Sequence, residues 1–120
     1  MVNKVNIDEK FEFIHTHWDP KIIGELNHQQ VKLVKFKGEF VWHKHENEDE
    51  LFLTVKGNFD MHLRDGIITV DEGEFIIIPR GVEHKPVAEE EVQVLLFEPE
   101  SVVNTGNTLS KFTRTDLDKI

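Results

Sequence analysis

The stretch Gly38-Glu39-Phe40-Val41-Trp42-His43-Lys44-His45-Glu46-Asn47-Glu48-Asp49-Glu50 sets two histidines two residues apart and ends on a carboxylate. That carboxylate heads the run Leu51-Phe52-Leu53-Thr54-Val55. On a β-strand, residues two apart share a face and lie about 6.6 Å apart along the chain. If 39–45 is a strand, His43 and His45 can converge on one ion at about 2.0–2.1 Å from each nitrogen. A second strand returning from Glu50 beside the first would bring a carboxylate to the same centre. The charged connection Glu46–Asp49 suits an exposed loop, and Glu48 and Asp49 are alternative donors. Glu50 is preferred because it is in phase with Phe52 and Thr54.

Outward from this stretch the chain reads as β throughout. Strands are expected at about 39–45, 50–56, 58–64, 67–70, 74–78 and 91–97, punctuated by Gly57-Asn58, Asp65-Gly66, Asp71-Glu72-Gly73 and Pro79-Arg80-Gly81. Asp65-Gly66 is the clearest hairpin signal. In 31–37, Val31 and Leu33 lie in one phase and Val34 and Phe36 in the other, which predicts a bulge or a strand buried on both faces. Many short strands with glycine-containing turns predict an all-β sandwich or barrel. The 120 residues fit one domain, with a core barrel over about 30–99, an irregular N-terminal arm over 1–29 and a C-terminal tail over 100–120. In the arm, 21–26 is a short apolar strand or a helical turn. In the tail, Thr115-Asp116-Leu117-Asp118 resembles a capping box that opens a helical turn.

Composition narrows the chemistry. Fourteen basic against 23 acidic residues give a net charge of −9, which disfavours nucleic-acid partners at long range. There is no cysteine, so disulfides, thiolate ligands and thiol nucleophiles are excluded, and no tyrosine, so no phenol can act as an acid. Seven histidines and many carboxylates remain, the donor set of a nitrogen–oxygen metal site. No apolar run reaches the roughly 18 residues a membrane helix needs. Met1-Val2-Asn3-Lys4 leads into a charged segment without an apolar signal core, so a cytoplasmic setting is expected.

A fourth ligand candidate, His84, follows Pro79-Arg80-Gly81 and the apolar run Phe75–Ile78, a stiff support ending in a polar donor. Together these residues carry a family resemblance. Gly38-x4-His43-x-His45-x4-Glu50-x6-Gly57 resembles the first motif of the cupin superfamily, and Gly73-x5-Pro79-x-Gly81-x2-His84 resembles the second. Two positions depart from that pattern: the first glycine stands one residue nearer to His43 than is usual, and Ala88 replaces the Asn that ends the second motif. Neither is a ligand position, so the departures bear on subfamily. The resemblance implies a double-stranded β-helix, or jelly-roll barrel, in which His43, His45, Glu50 and His84 bind one divalent transition metal: Fe, Mn, Ni, Zn, Co or Cu. It also implies a small-molecule ligand at that metal, in a metal-dependent enzyme of oxygenase or sugar-isomerase type or in a non-catalytic binding module. The metal-free sugar-nucleotide epimerases of this fold use a tyrosine acid, which this chain lacks.

Other features read more plainly. His15-Thr16-His17 repeats the spacing without a supporting context and is expected not to bind metal; His28 has no partner pattern, and His62 is expected to be exposed or at a sheet interface. Arg80 is either an anchor for an anionic substrate or a salt-bridge partner. Leu51, Leu53 and Val55, with Phe40 and Trp42, are expected to face away from the histidines and to need cover, which predicts a homodimer through the outer sheet face.

Overall fold

Buried backbone groups need hydrogen-bond partners, and the pairing here shows how seven strands supply most of them. The computed structural model describes residues 2–120; Met1, part of the N-terminal stretch read above, lies outside the described residues. A short helix α1 (Ile7–Phe11) precedes β1 (Lys21–Leu26), β2 (Gln29–Glu39), β3 (Glu50–Lys56), β4 (Asn58–Leu63), β5 (Gly66–Asp71), β6 (Phe75–Ile78) and β7 (His84–Pro99). All pairings are antiparallel, in the order β1-β2-β7-β3-β6, with β4 and β5 paired off this path.

The long strand β7 joins the two halves of the jelly roll. Its first residues, His84–Val87, pair with β4, while Gln93–Phe97 lies between β2 and β3. The exposed Glu89-Glu90-Glu91 marks the passage from one half to the other. Period-two burial then aims alternate residues into the barrel: Glu50, Phe52 and Thr54 from β3, and Val92, Val94, Leu96 and Glu98 from β7. These meet Val34 and Phe36 of β2 and Phe59 and Met61 of β4 in the main core.

Several expectations need correction. The segment 39–45 is not a strand. β2 ends at Glu39, and only His43 makes an isolated bridge, to His84. The carboxylate therefore does not come from a strand returning beside the histidines; β3 pairs with β6 and β7 instead, Glu50 facing Ile78. Alternation fails without a strand, so Phe40 turns inward. It is buried, with its ring edge-on to His43 at 5.3 Å between centroids. Trp42 stays half-buried outside and carries the Arg64 guanidinium 3.8 Å above its ring.

In 31–37 both readings hold. Leu33 is buried beneath α1 with Phe11 and Ile14, Val34 and Phe36 are buried in the barrel, and the register shifts between Phe36 and Gly38. Residues 21–26 are a strand, α1 was not anticipated, and the 115–118 segment forms no helix. The β4–β5 hairpin turns on Arg64-Asp65, with Gly66 already paired to Leu63. No helix among the described residues is long and apolar enough to cross a membrane.

Candidate metal centre

His43 sits in the barrel mouth because its backbone is tied to the start of β7. His43 N–H donates to the His84 carbonyl at 3.0 Å, and His84 N–H returns to the His43 carbonyl at 2.9 Å. Two residues on, the His45 carbonyl accepts from Gly81 N–H at 2.7 Å, and a positive φ of 80° aims that amide, as glycine readily allows. The tail closes over the same segment. Gly106 (φ 54°) passes so near the Lys44 carbonyl that a side chain there would overlap it, and Asn107 exchanges hydrogen bonds with the Lys44 backbone at 3.0 and 3.1 Å.

These ties gather four side chains. The ligand atoms of His43, His45, Glu50 and His84 all lie within 4.8 Å of one another, and all four residues are buried. Two tautomers follow from the geometry. Nδ1 of His43 is 2.9 Å from the Val41 carbonyl and Nδ1 of His84 is 2.9 Å from the Val82 carbonyl. A carbonyl only accepts, so each Nδ1 carries the proton and each Nε2 presents a lone pair to the centre.

Glu50 Oε1 approaches His45 Nε2 at 2.8 Å and His84 Nε2 at 3.3 Å, yet none of these three atoms makes a hydrogen bond of acceptable geometry. Among the described residues, the buried side-chain nitrogens and oxygens without a hydrogen-bond partner are these three and Glu98 Oε2. Each such atom costs about 1–3 kcal/mol when buried unsatisfied. Lone pairs that converge in this way fit a shared cation.

The electrostatics agree. Burial, with His84 close by, pushes the His43 imidazole down to about 4, which keeps it neutral and able to ligate. Burial works to raise the Glu50 carboxyl, but its polar contacts with Glu98, His45 and His84 outweigh that and hold it well below the ordinary range. Burial and the Glu50 charge push Glu98 well above its ordinary range, against the pull of Lys32.

A matching family model, the Cupin domain, covers residues 32–98, more than half of the chain. The chain belongs to the cupin family. This cupin is similar to the crystal structure of a cupin-2 domain containing protein from Shewanella frigidimarina. That match has 46% identity and a TM-score of 0.78, and covers 79% of this chain and 93% of the other. Protein NMB1881 from Neisseria meningitidis matches at 31% identity and TM-score 0.75, over 81% of this cupin and 99% of its own chain. The Bacillus subtilis (strain 168) protein YdbB is 34% identical over 64 residues, and the match spans 52% of this cupin and 57% of YdbB.

The remaining candidates lie elsewhere. His17 is exposed and pairs with Glu91 at 2.7 Å, His15 is exposed, and His28 reaches Glu100 at 3.4 Å. His62 is half-buried on β4. Arg80 is exposed; its guanidinium joins no ion pair among the described residues, while its backbone N–H donates to Asp49 Oδ1 at 2.8 Å. That bond uses Asp49 as a turn clamp and leaves Glu50 to the cluster.

Lys32 and Glu98 were missed by sequence reasoning. They are a buried ion pair 3.0 Å apart, and Glu98 lines the pocket that His43 and Glu50 also line. The signal was there in phase alone, since Lys32 precedes Val34 and Phe36 and Glu98 follows Val94 and Leu96 at steps of two.

Proposed function

We propose that this cupin holds one divalent transition metal through Nε2 of His43, His45 and His84 and a carboxylate oxygen of Glu50, and presents it to a small molecule. The observation that carries this reading is the convergence of buried, unpartnered donor atoms at one point. Iron, manganese, nickel, zinc, cobalt and copper all suit such donors, and ligand type alone does not choose among them. Four protein donors leave one or two positions on a five- or six-coordinate ion, which favours a working centre over a closed structural one. When bound, the metal supplies Lewis acidity or, if redox-active, an electron-transfer partner. The chain's own residues fix the imidazole tautomers, exclude water with the rings of Trp18, Phe36, Phe40 and Phe52, and hold the Glu50 carboxylate ionised.

An enzyme of oxygenase or sugar-isomerase type is one form of this function, and capture of a ligand without turnover is the other. The pocket leaves about 30 Å³ to the centres of water-sized molecules, room for roughly two or three of them, which favours small ligands in either form. Elemental analysis of protein purified without an affinity tag should find close to one metal per chain. His45→Ala should bring that near zero, and His17→Ala should leave it unchanged. Metal-free wild type after loading, or full occupancy in His45→Ala, would overturn the reading.

A second copy of this chain is the proposed partner of the outer sheet face. Register aligns Ile77, Leu51 and Phe97 in one row and Phe75, Leu53 and Leu95 in the next. Phe75 and Ile77 are 61% and 52% exposed at the β6 edge, whereas Val55 and Leu95 already pack with the α1 cluster. Sedimentation should give a dimer that Ile77→Lys converts to monomer. A wild type that stays monomeric across micromolar concentrations would refute it.

A further inference from the structure

The pocket beside the donors is walled mainly by carbon. It meets the four-residue cluster at His43 and Glu50, and its walls include Trp18, Val34, Phe36, Phe40, Phe52 and Leu96, all buried. The polar groups of that lining are engaged elsewhere. Trp18 Nε1–H donates to the Lys37 carbonyl at 2.9 Å, and His43 Nδ1 to the Val41 carbonyl at 2.9 Å. Asn104 donates to the Phe112 carbonyl and accepts from Arg114 N–H. Glu98 is bonded to Lys32 at 3.0 Å and touches Glu50 through its side chain. A ligand group entering this space away from the donors would lose its water and gain no partner, so only an apolar body suits it.

The body must also be short. About 30 Å³ is open to the centres of water-sized molecules, room for a body of roughly two or three carbons. The rings that bound it brace one another: Trp18 stacks on Phe36 and Phe40 at 4.4 and 4.7 Å, and Phe36 meets Phe59 edge-on at 5.4 Å. Close-packed rings of this kind yield little to a longer chain. Val34 of β2 and Leu96 of β7 are the open-chain aliphatic side chains of the wall, on strands that pair with each other. Their size can change without disturbing the stack.

The head follows from charge. Three neutral imidazoles and one carboxylate leave a divalent ion with a single positive charge, which one further carboxylate cancels. We propose that the ligand of this site is a short aliphatic carboxylic acid, its carboxylate at the metal and its alkyl body against Val34 and Leu96, which set the length it accepts. This rests on the metal reading above.

The test uses the full chain loaded with cobalt(II), whose visible spectrum reports both loading and ligand binding, and three probes. Butyrate carries a short alkyl body; 3-hydroxypropionate has the same length but ends in a hydroxyl; hexanoate is longer. Wild type should bind butyrate about tenfold or more tighter than either of the others. Val34→Ala and Leu96→Val each vacate wall volume and should narrow the gap between butyrate and hexanoate by about threefold or more, with 3-hydroxypropionate still disfavoured. The wild-type series decides the ligand class whether or not the variants fold. Affinity that climbs steadily with chain length would place the body outside the pocket. That result, equal binding of butyrate and 3-hydroxypropionate, or no spectral response to butyrate overturns the ligand class and leaves the metal reading standing. A gap unchanged in both loaded variants overturns the role of Val34 and Leu96. Wild type that takes up no cobalt overturns the metal reading as well.

Discussion

His43 has two neighbours that decide its chemistry, the Val41 carbonyl on Nδ1 and the apolar edge of Phe40. In the metal-free folded chain it stays neutral down to about 4, whereas in the unfolded chain it titrates near 6.5. Between those values the unfolded state binds the extra proton, so stability is fully present above 6.5 and falls as the pH drops toward 4. The loss amounts to about 3 kcal/mol at most. Urea midpoints of metal-stripped protein at pH 7.5 and 5 should show it, and His43→Gln should flatten the difference; an equal slope in the variant would contradict this account. Gly106 acts on the same histidine from the tail. A methyl group there would overlap the Lys44 carbonyl and press on His43 Cδ2 at 3.2 Å. Gly106→Ala should therefore cost about 2 kcal/mol or more and weaken metal retention, whereas Gly73→Ala, where no atom lies within 4 Å of the added carbon, should spare the metal. Equal metal retention in Gly106→Ala and wild type would sink that link.

Between elements, the test falls on the β2–β7 contact. Glu98→Leu removes the hydrogen-bonded partner of the buried Lys32 ammonium, and should cost about 3 kcal/mol or more. Lys32→Met/Glu98→Leu should lie within about 1 kcal/mol of wild type in denaturant unfolding. A double variant as unstable as the single one would show that the pair is needed for the fold. The same strands show how far sequence alone could go. The spacing of His43, His45, Glu50 and His84 against Gly57, Pro79 and Gly81 was legible because short-range offsets fix turns and register. The path of 40–49 was not. Its backbone bonds run to Pro86, His84, Gly81 and Asn107, partners 35 or more positions away, and no local pattern announces them. Alternation in that segment therefore suggested a strand where only one bridge forms, and it placed Phe40 outside although the ring lies in the core. The α1 helix was illegible for a similar reason: five residues capped by Asn6 give too little periodicity to read.

At the scale of the whole molecule, both ends of the chain meet over the barrel mouth. Trp18, in a left-handed conformation (φ 60°), stacks on Phe36 and Phe40 at 4.4 and 4.7 Å, and Phe112 of the tail stacks on Phe40 at 5.4 Å. Phe112→Ala in a Trp42→Phe background should make Trp18 fluorescence more open to acrylamide quenching and lower stability by about 1–2 kcal/mol. Quenching that does not change would mean that the tail does not cover this ring. The doubled main-chain link between His43 and His84 bears on the proposed metal site. Two of the four donors are lashed together by peptide groups, so the scaffold stands ready before any cation arrives. A chelator would then silence the molecule without melting it, and refilling would be quick. The choice of metal would be left to whatever the surroundings supply.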